Sequence, residues 1–154
     1  MELQINKVKY DRKAGQVTIE YEQVGIDEVK ITLKSNDEPL PELVDCFNNL
    51  IPYVETICQL PDGYCNDAEI RGVSLSWTNG VMGVVVTCLV PLDNANSPMV
   101  INTPHVPAEQ YSEGGESPVL SKNVVIVVEE LINEAEKYIN GERKPDSQLK
   151  LDLQ

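Results

Sequence analysis

The chain opens in a period of two. Leu3 and Ile5 begin an alternating segment, the turn-like Asp11-Arg12-Lys13-Ala14-Gly15 follows, and Val17, Ile19 and Tyr21 then oppose Thr18, Glu20 and Glu22. Such alternation marks half-buried strands, here a hairpin. A second turn at Val24-Gly25-Ile26-Asp27 leads to Val29, Ile31 and Leu33 alternating with Glu28, Lys30, Thr32 and Lys34. Three antiparallel strands are predicted, with Glu and Lys paired across the watered face and the other face in a core.

At Ser35 the period changes. Ser35, Asn36 and Asp37 offer caps, Pro39 or Pro41 suits a first helical turn, and Glu38 and Glu42 complement the helix dipole. Leu40, Leu43, Val44, Phe47, Leu50, Ile51, Val54 and Ile57 recur at three and four residues, the stripe of a helix lying on a sheet. Pro52 lacks an N–H and crowds the preceding turn, so it should kink or split this helix near Asn48 to Ile51. Pro61-Asp62-Gly63 ends it. Glu69 to Thr78 alternates again, Asn79-Gly80 is a two-residue hairpin signal, and Val81 to Val90 returns. That last strand is apolar on both faces, which fits a central position, or an outer face covered by a loop or a second copy of the chain.

Between Pro91 and Leu120 lie Pro91, Pro98, Pro104, Pro107 and Pro118 and the Ser112-Glu113-Gly114-Gly115-Glu116-Ser117 stretch; only Met99-Val100-Ile101 reads as strand. A connection this long is often functional or disordered. Ser121 then caps a last helix with Val124, Val125, Val128, Leu131, Ile132, Ala135, Tyr138 and Ile139 on one stripe, stopped by Asn140-Gly141. The predicted architecture is α+β: an antiparallel sheet of five to six strands (βββ-α-ββ(β)-α) with two helices packed on one face. Residues 1–141 should form a single domain and residues 142–154 a flexible C-terminal tail.

Composition narrows the partners. The 154 residues carry 12 Lys+Arg against 25 Asp+Glu, a formal net charge of −13. Between Ser35 and Ser121 one base, Arg71, stands against twelve acids. Such a surface repels phosphate backbones, so direct nucleic-acid binding is not expected; it serves solubility, or it meets a basic partner by imitating nucleic acid. The locally basic patch is the N-terminal hairpin, with Lys7, Lys9, Arg12 and Lys13. No run approaches the ~20 apolar residues of a membrane-spanning helix, and the N-terminus lacks the pattern of a secretory signal. Cys46, Cys58, Cys65 and Cys88 form no CxxC, so free thiols in a reducing compartment are the default, a Cys58–Cys65 disulfide being the lesser alternative.

Catalytic chemistry finds little support. A serine or cysteine nucleophile needs a base, and His105 is the single histidine. Cys65, in the Asp62-to-Asp67 loop, is the best candidate for an accessible thiol, but nothing basic lies beside it. Zinc-ligand pairs, a calcium-loop spacing and phosphate-cradling glycine motifs are all missing, so no cofactor or metal is expected and the chain reads as a non-enzyme. Candidate partner-binding residues are Glu38, Glu42, Asp45 and Glu55 on the acidic helix. To these the prolyl loop adds Asn102, Thr103 and His105, or else that loop simply covers a sheet edge.

Arg71-Gly72-Val73-Ser74-Leu75-Ser76-Trp77, the run Asn96-Ser97-Pro98-Met99-Val100-Ile101-Asn102-Thr103-Pro104-His105, and Glu136-Lys137-Tyr138-Ile139-Asn140-Gly141-Glu142-Arg143 resemble a group of small acidic proteins encoded in phages and prophages. The resemblance covers most of the chain, implies a bacterial cytoplasm and a role in phage replication, recombination or counter-defence, and carries no catalytic residue with it. The expected function is a non-enzymatic accessory protein that binds and modulates a host or phage protein, such as a basic nucleic-acid-binding one. The alternatives are a binder of a small nucleotide signal, in a site built from the Pro91 to Pro118 loop and a neighbouring subunit with bases drawn from Arg71, the N-terminal hairpin or Lys122, or a homo-oligomeric structural or accessory protein.

Overall fold

A computed structural model describes residues 2–25 and 28–144. The expected α+β architecture is present: β1 (Glu2–Asp11), β2 (Gln16–Val24), β3 (Val29–Ser35), α1 (Pro41–Asn48), α2 (Ile51–Ile57), β4 (Glu69–Thr78), β5 (Val81–Val90), β6 (Met99–Asn102), β7 (Val106–Pro107) and α3 (Lys122–Ile139). The first helix is split as Pro52 requires, because its ring cannot follow a continuous turn; it stands instead in the first turn of α2. All strands join one antiparallel sheet of order β3-β2-β1-β4-β5-β6, with β7 continuing the β6 side of β5. Strand β5 is therefore central. Asn79 and Gly80 both hold positive φ, as the tight hairpin between β4 and β5 demands.

The three helices lie on one face. Ile5, Val8, Val17, Ile19, Val73, Val84, Val86 and Cys88 meet Leu43, Phe47, Val54, Leu131, Ala135 and Tyr138 there, all buried. The other face carries no second layer among the described residues.

Two bulges decide which residues reach that open face. In β1 the register slips at Asn6, so Ile5 and Val8, three apart, both point into the core. In β4 it slips at Arg71, so Ile70 and Val73 do the same. Between the slips β1 and β4 pair over Lys7–Lys9 and Gly72–Ser74, and past them the Trp77 indole N–H donates to the Ile5 carbonyl at 3.0 Å.

The prolyl stretch after β5 forms the sheet edge. Thr103 N–H donates to the Val86 carbonyl at 2.9 Å, Val86 N–H donates to Thr103 Oγ1 at 2.8 Å, and Ala108 N–H donates to the Met82 carbonyl at 2.7 Å. Prolines suit an edge, where half the backbone has no ladder to join. β7 was not legible in the prolyl pattern, since Pro107 can contribute only its carbonyl. Of the expected C-terminal tail, Arg143 donates to Asp37 and the Tyr138 carbonyl, and Lys144 pairs with Glu38; residues 145–154 lie outside the described residues. No helix of the described residues is long and apolar enough to cross a membrane.

Candidate functional site

The open face collects the bases of the strands. Lys34, Thr18, Lys9, Gly72, Thr87 and Asn102 stand in one row across the sheet, and Thr32, Glu20, Lys7, Ser74 and Val85 in the next. Where Gly72 interrupts its row the face is hollowed, a cavity of about 300 Å³ bounded by Lys7, Lys9, Arg71, Leu89 and Val100. The glycine is a steric necessity: a Cβ there would stand 2.9 Å from the Val8 carbonyl of β1. Arg71 Nη2 donates to Asp11 Oδ2 at 2.7 Å, while its Nε is buried with no acceptor among the described residues. The Ala14 backbone N–H, ahead of the Arg71 charge, holds the Asp11 carboxyl below the usual range.

One step further along β4, Ser76 Oγ lies 2.9 Å from His105 Nε2, and the Tyr111 hydroxyl lies 3.4 Å from the same nitrogen. The ring sits over Gly83 of β5, where a Cβ would collide with Nε2. Sequence reasoning left His105 without a partner. The readable signal was Gly83 itself, a glycine inside an apolar strand, which marks a close approach. A serine beside a histidine is the beginning of an activated nucleophile, but no carboxylate orients the ring through Nδ1 among the described residues. Ser76 and Tyr111 instead share one ring nitrogen, an arrangement that fastens the loop to the sheet.

The predicted acidic residues divide. Glu42 and Asp45 are exposed on α1. Glu38 is exposed but paired with Lys144 at 3.2 Å. Glu55 is structural: its Oε2 accepts from Cys65 N–H at 2.8 Å and closes the turn after α2. Asn102 is exposed, accepting from the Thr87 hydroxyl at 2.7 Å. Thr103 is buried and committed to Val86, so it presents nothing to a partner.

The helical acids that sequence reasoning passed over are on α3. Burial first, then Glu130, Glu134 and Asp45, push the Cys46 thiol up to about 11, so carboxylates of both helices crowd one spot. Glu42 and Glu134 likewise both reach Lys137. Beside them Ile126 stands half exposed, with Glu129 and Glu130 one turn along. Glu130 and Glu134 lie past Ser121 in sequence and join Glu42 and Asp45 only because α1 and α3 pack together.

Cys65 is not the accessible thiol its loop suggested. It is buried, as is Cys88, whose thiol burial pushes up to about 12. All four cysteines are free. Among the described residues no three His, Cys, Asp or Glu side chains are grouped to hold a metal ion. No family model, curated protein or solved structure matches the chain. Its function is read from its own residues.

Proposed function

We propose that this chain is a non-enzymatic accessory protein that binds and modulates a host or phage protein in a bacterial cytoplasm, using the outer surface of α1 and α3. The observation that carries this reading is the segregation of charge across the sheet. Glu42, Asp45, Glu129, Glu130 and Glu134 share the helical side, while Lys7, Lys9, Lys30 and Lys34 line the opposite face. Lys137 pairs with Glu134 on the helical side and Glu20 and Glu22 stand among the lysines, so each face holds an excess of one sign; an acid-rich face steers a basic partner and rejects acidic ones. Ile126 supplies an apolar anchor within the acidic surround, the composition that concentrates binding energy. The bacterial and phage setting is part of the proposal, and the clamp-like use of His105 supports a role without turnover.

The test compares the tagged protein with a Glu42→Lys, Asp45→Lys, Glu130→Lys variant as baits in bacterial lysate, infected and uninfected, at low and moderate salt. The wild-type bait should recover one stoichiometric protein, released as salt rises and weakened about tenfold or more by the reversal. Equal recovery by the variant would remove the acidic face from the account. A bait recovered alone from both lysates would remove the partner.

A further inference from the structure

The geometry points to a second site, on the opposite face of the sheet: the hollow above Gly72 binds a small phosphorylated compound with a planar, weakly polar body, a nucleoside monophosphate in chemical class. It is independent of the helical face, since the whole sheet lies between them.

The argument starts from charge. In a chain of net charge −13, three cations border one cavity against two acids beside it, Asp11 paired with Arg71 and Glu20 next to Lys7 across the β1–β2 ladder, which leaves a surplus of one positive charge there. The far acids of the helical side matter little there, because salt screens exposed charges beyond about 8 Å at physiological ionic strength. A long polyanion would meet them; a single phosphate group would not.

Geometry supplies the second step. Arg71 spends one nitrogen on Asp11 and leaves Nε buried without an acceptor. An unsatisfied buried donor is costly, and a guanidinium held on one side by a carboxylate is oriented to bind a phosphate oxygen with its remaining N–H groups. Lys7 and Lys9 stand two residues apart on β1, facing the same hollow from the other side, and Ser74 lines it with them, while the Thr87 hydroxyl is spent on Asn102. These bases belong together only because both bulges turn them outward.

Size and lining supply the third. A cavity of about 300 Å³ exceeds what a phosphate ion fills and stands at the lower end of small-molecule sites. Its far wall is Leu89 and Val100, and Val100 is 56% exposed, an apolar surface left in water beside a cationic one. A nucleoside base and sugar would cover that wall while the phosphate meets the cations. The loop from Pro91 to Leu120 contributes Val100 alone to this lining, so the site is made by β1, β4 and β5 rather than by the prolyl segment.

Amide NMR titration of the full chain tests this, with AMP, GMP, adenosine, inorganic phosphate and a thymidine oligonucleotide as probes. AMP or GMP should shift the amides of Gly72, Ser74 and Thr87 saturably, about tenfold or more tighter than adenosine or phosphate alone. The exposed-site variants Lys7→Gln with Lys9→Gln, and separately Val100→Glu, should keep the remaining spectrum and lose about tenfold or more in affinity. No saturable shift at these amides up to about 10 mM of either nucleotide overturns the site. So does affinity unchanged in both variants. Phosphate binding as tightly as AMP refutes the role of the Leu89–Val100 wall, and an oligonucleotide binding more tightly, with a steep salt dependence, replaces the small ligand by a nucleic-acid strand.

Discussion

Single atoms hold the β5 edge together. Val86 N–H has no strand carbonyl opposite it and uses Thr103 Oγ1, so Thr103→Val keeps the shape and orphans a buried donor. The expected loss is about 1–3 kcal/mol in urea unfolding, with Thr103→Ser retaining most of the stability; a Val variant as stable as wild type would show that water reaches Val86. Gly83 acts by absence, since a methyl group there would displace the His105 ring from Ser76. The buried thiols give a pH dependence. Cys46 is raised to about 11 and Cys88 to about 12 from a usual value near 9, both chiefly by burial, so the folded protein keeps protons that the unfolded chain releases. Stability from these groups is full below about pH 9 and is lost as pH rises through 11 and 12, and half-buried Tyr53 and buried Tyr138, also raised, act in the same direction. Urea midpoints between about pH 8 and 10.5 should fall, and fall less steeply in Cys88→Ala. An unchanged slope in that variant would assign the effect elsewhere.

At the scale of elements, the bulges were written in the sequence but not read. Leu3, Ile5, Val8 and Tyr10 break a period of two by one residue, as do Ile70, Val73 and Leu75, and an apolar spacing of three inside a strand is what a bulge looks like from sequence. The helices were easier. A cap at Ser121, whose Oγ accepts from Val124 N–H, and the stop at Asn140-Gly141 are local chemistry, and the structure places α3 between them. Deleting Asn6 tests the bulge directly. The deletion restores strict alternation with Ile5, Val8 and Tyr10 still on the core face and Lys7 and Lys9 still on the open face, because the bulge is what absorbs the extra residue. We expect a folded deletion variant that loses less than about 3 kcal/mol in urea unfolding, and a loss of less than about 1 kcal/mol for the point change Asn6→Ser. A deletion variant that does not fold would mean that the bulge itself, and not only the facing of Ile5 and Val8, holds β1 in place.

For the whole molecule, charge is sorted by the sheet. Reversing acids on α1 and α3 and neutralising lysines on β1 should therefore act separately: the first on a protein partner, the second on a small anion. A double variant should show each ligand's loss unchanged by the other substitution, within about 0.5 kcal/mol, as independent sites do; coupling beyond that would show that the sheet transmits one event to the other. Periodicity, caps, turns and Pro52 sufficed to determine three strands, a broken helix, a hairpin and a last helix, because each depends on neighbours a few residues away. Strand order did not follow from them. That β1 lies against β4, bringing Lys7 and Lys9 to Arg71 and its buried Nε, and that α3 carries Glu130 to Asp45, were decided by burial between segments far apart in the chain, where many pairings satisfy the same local pattern and only the packed core selects one.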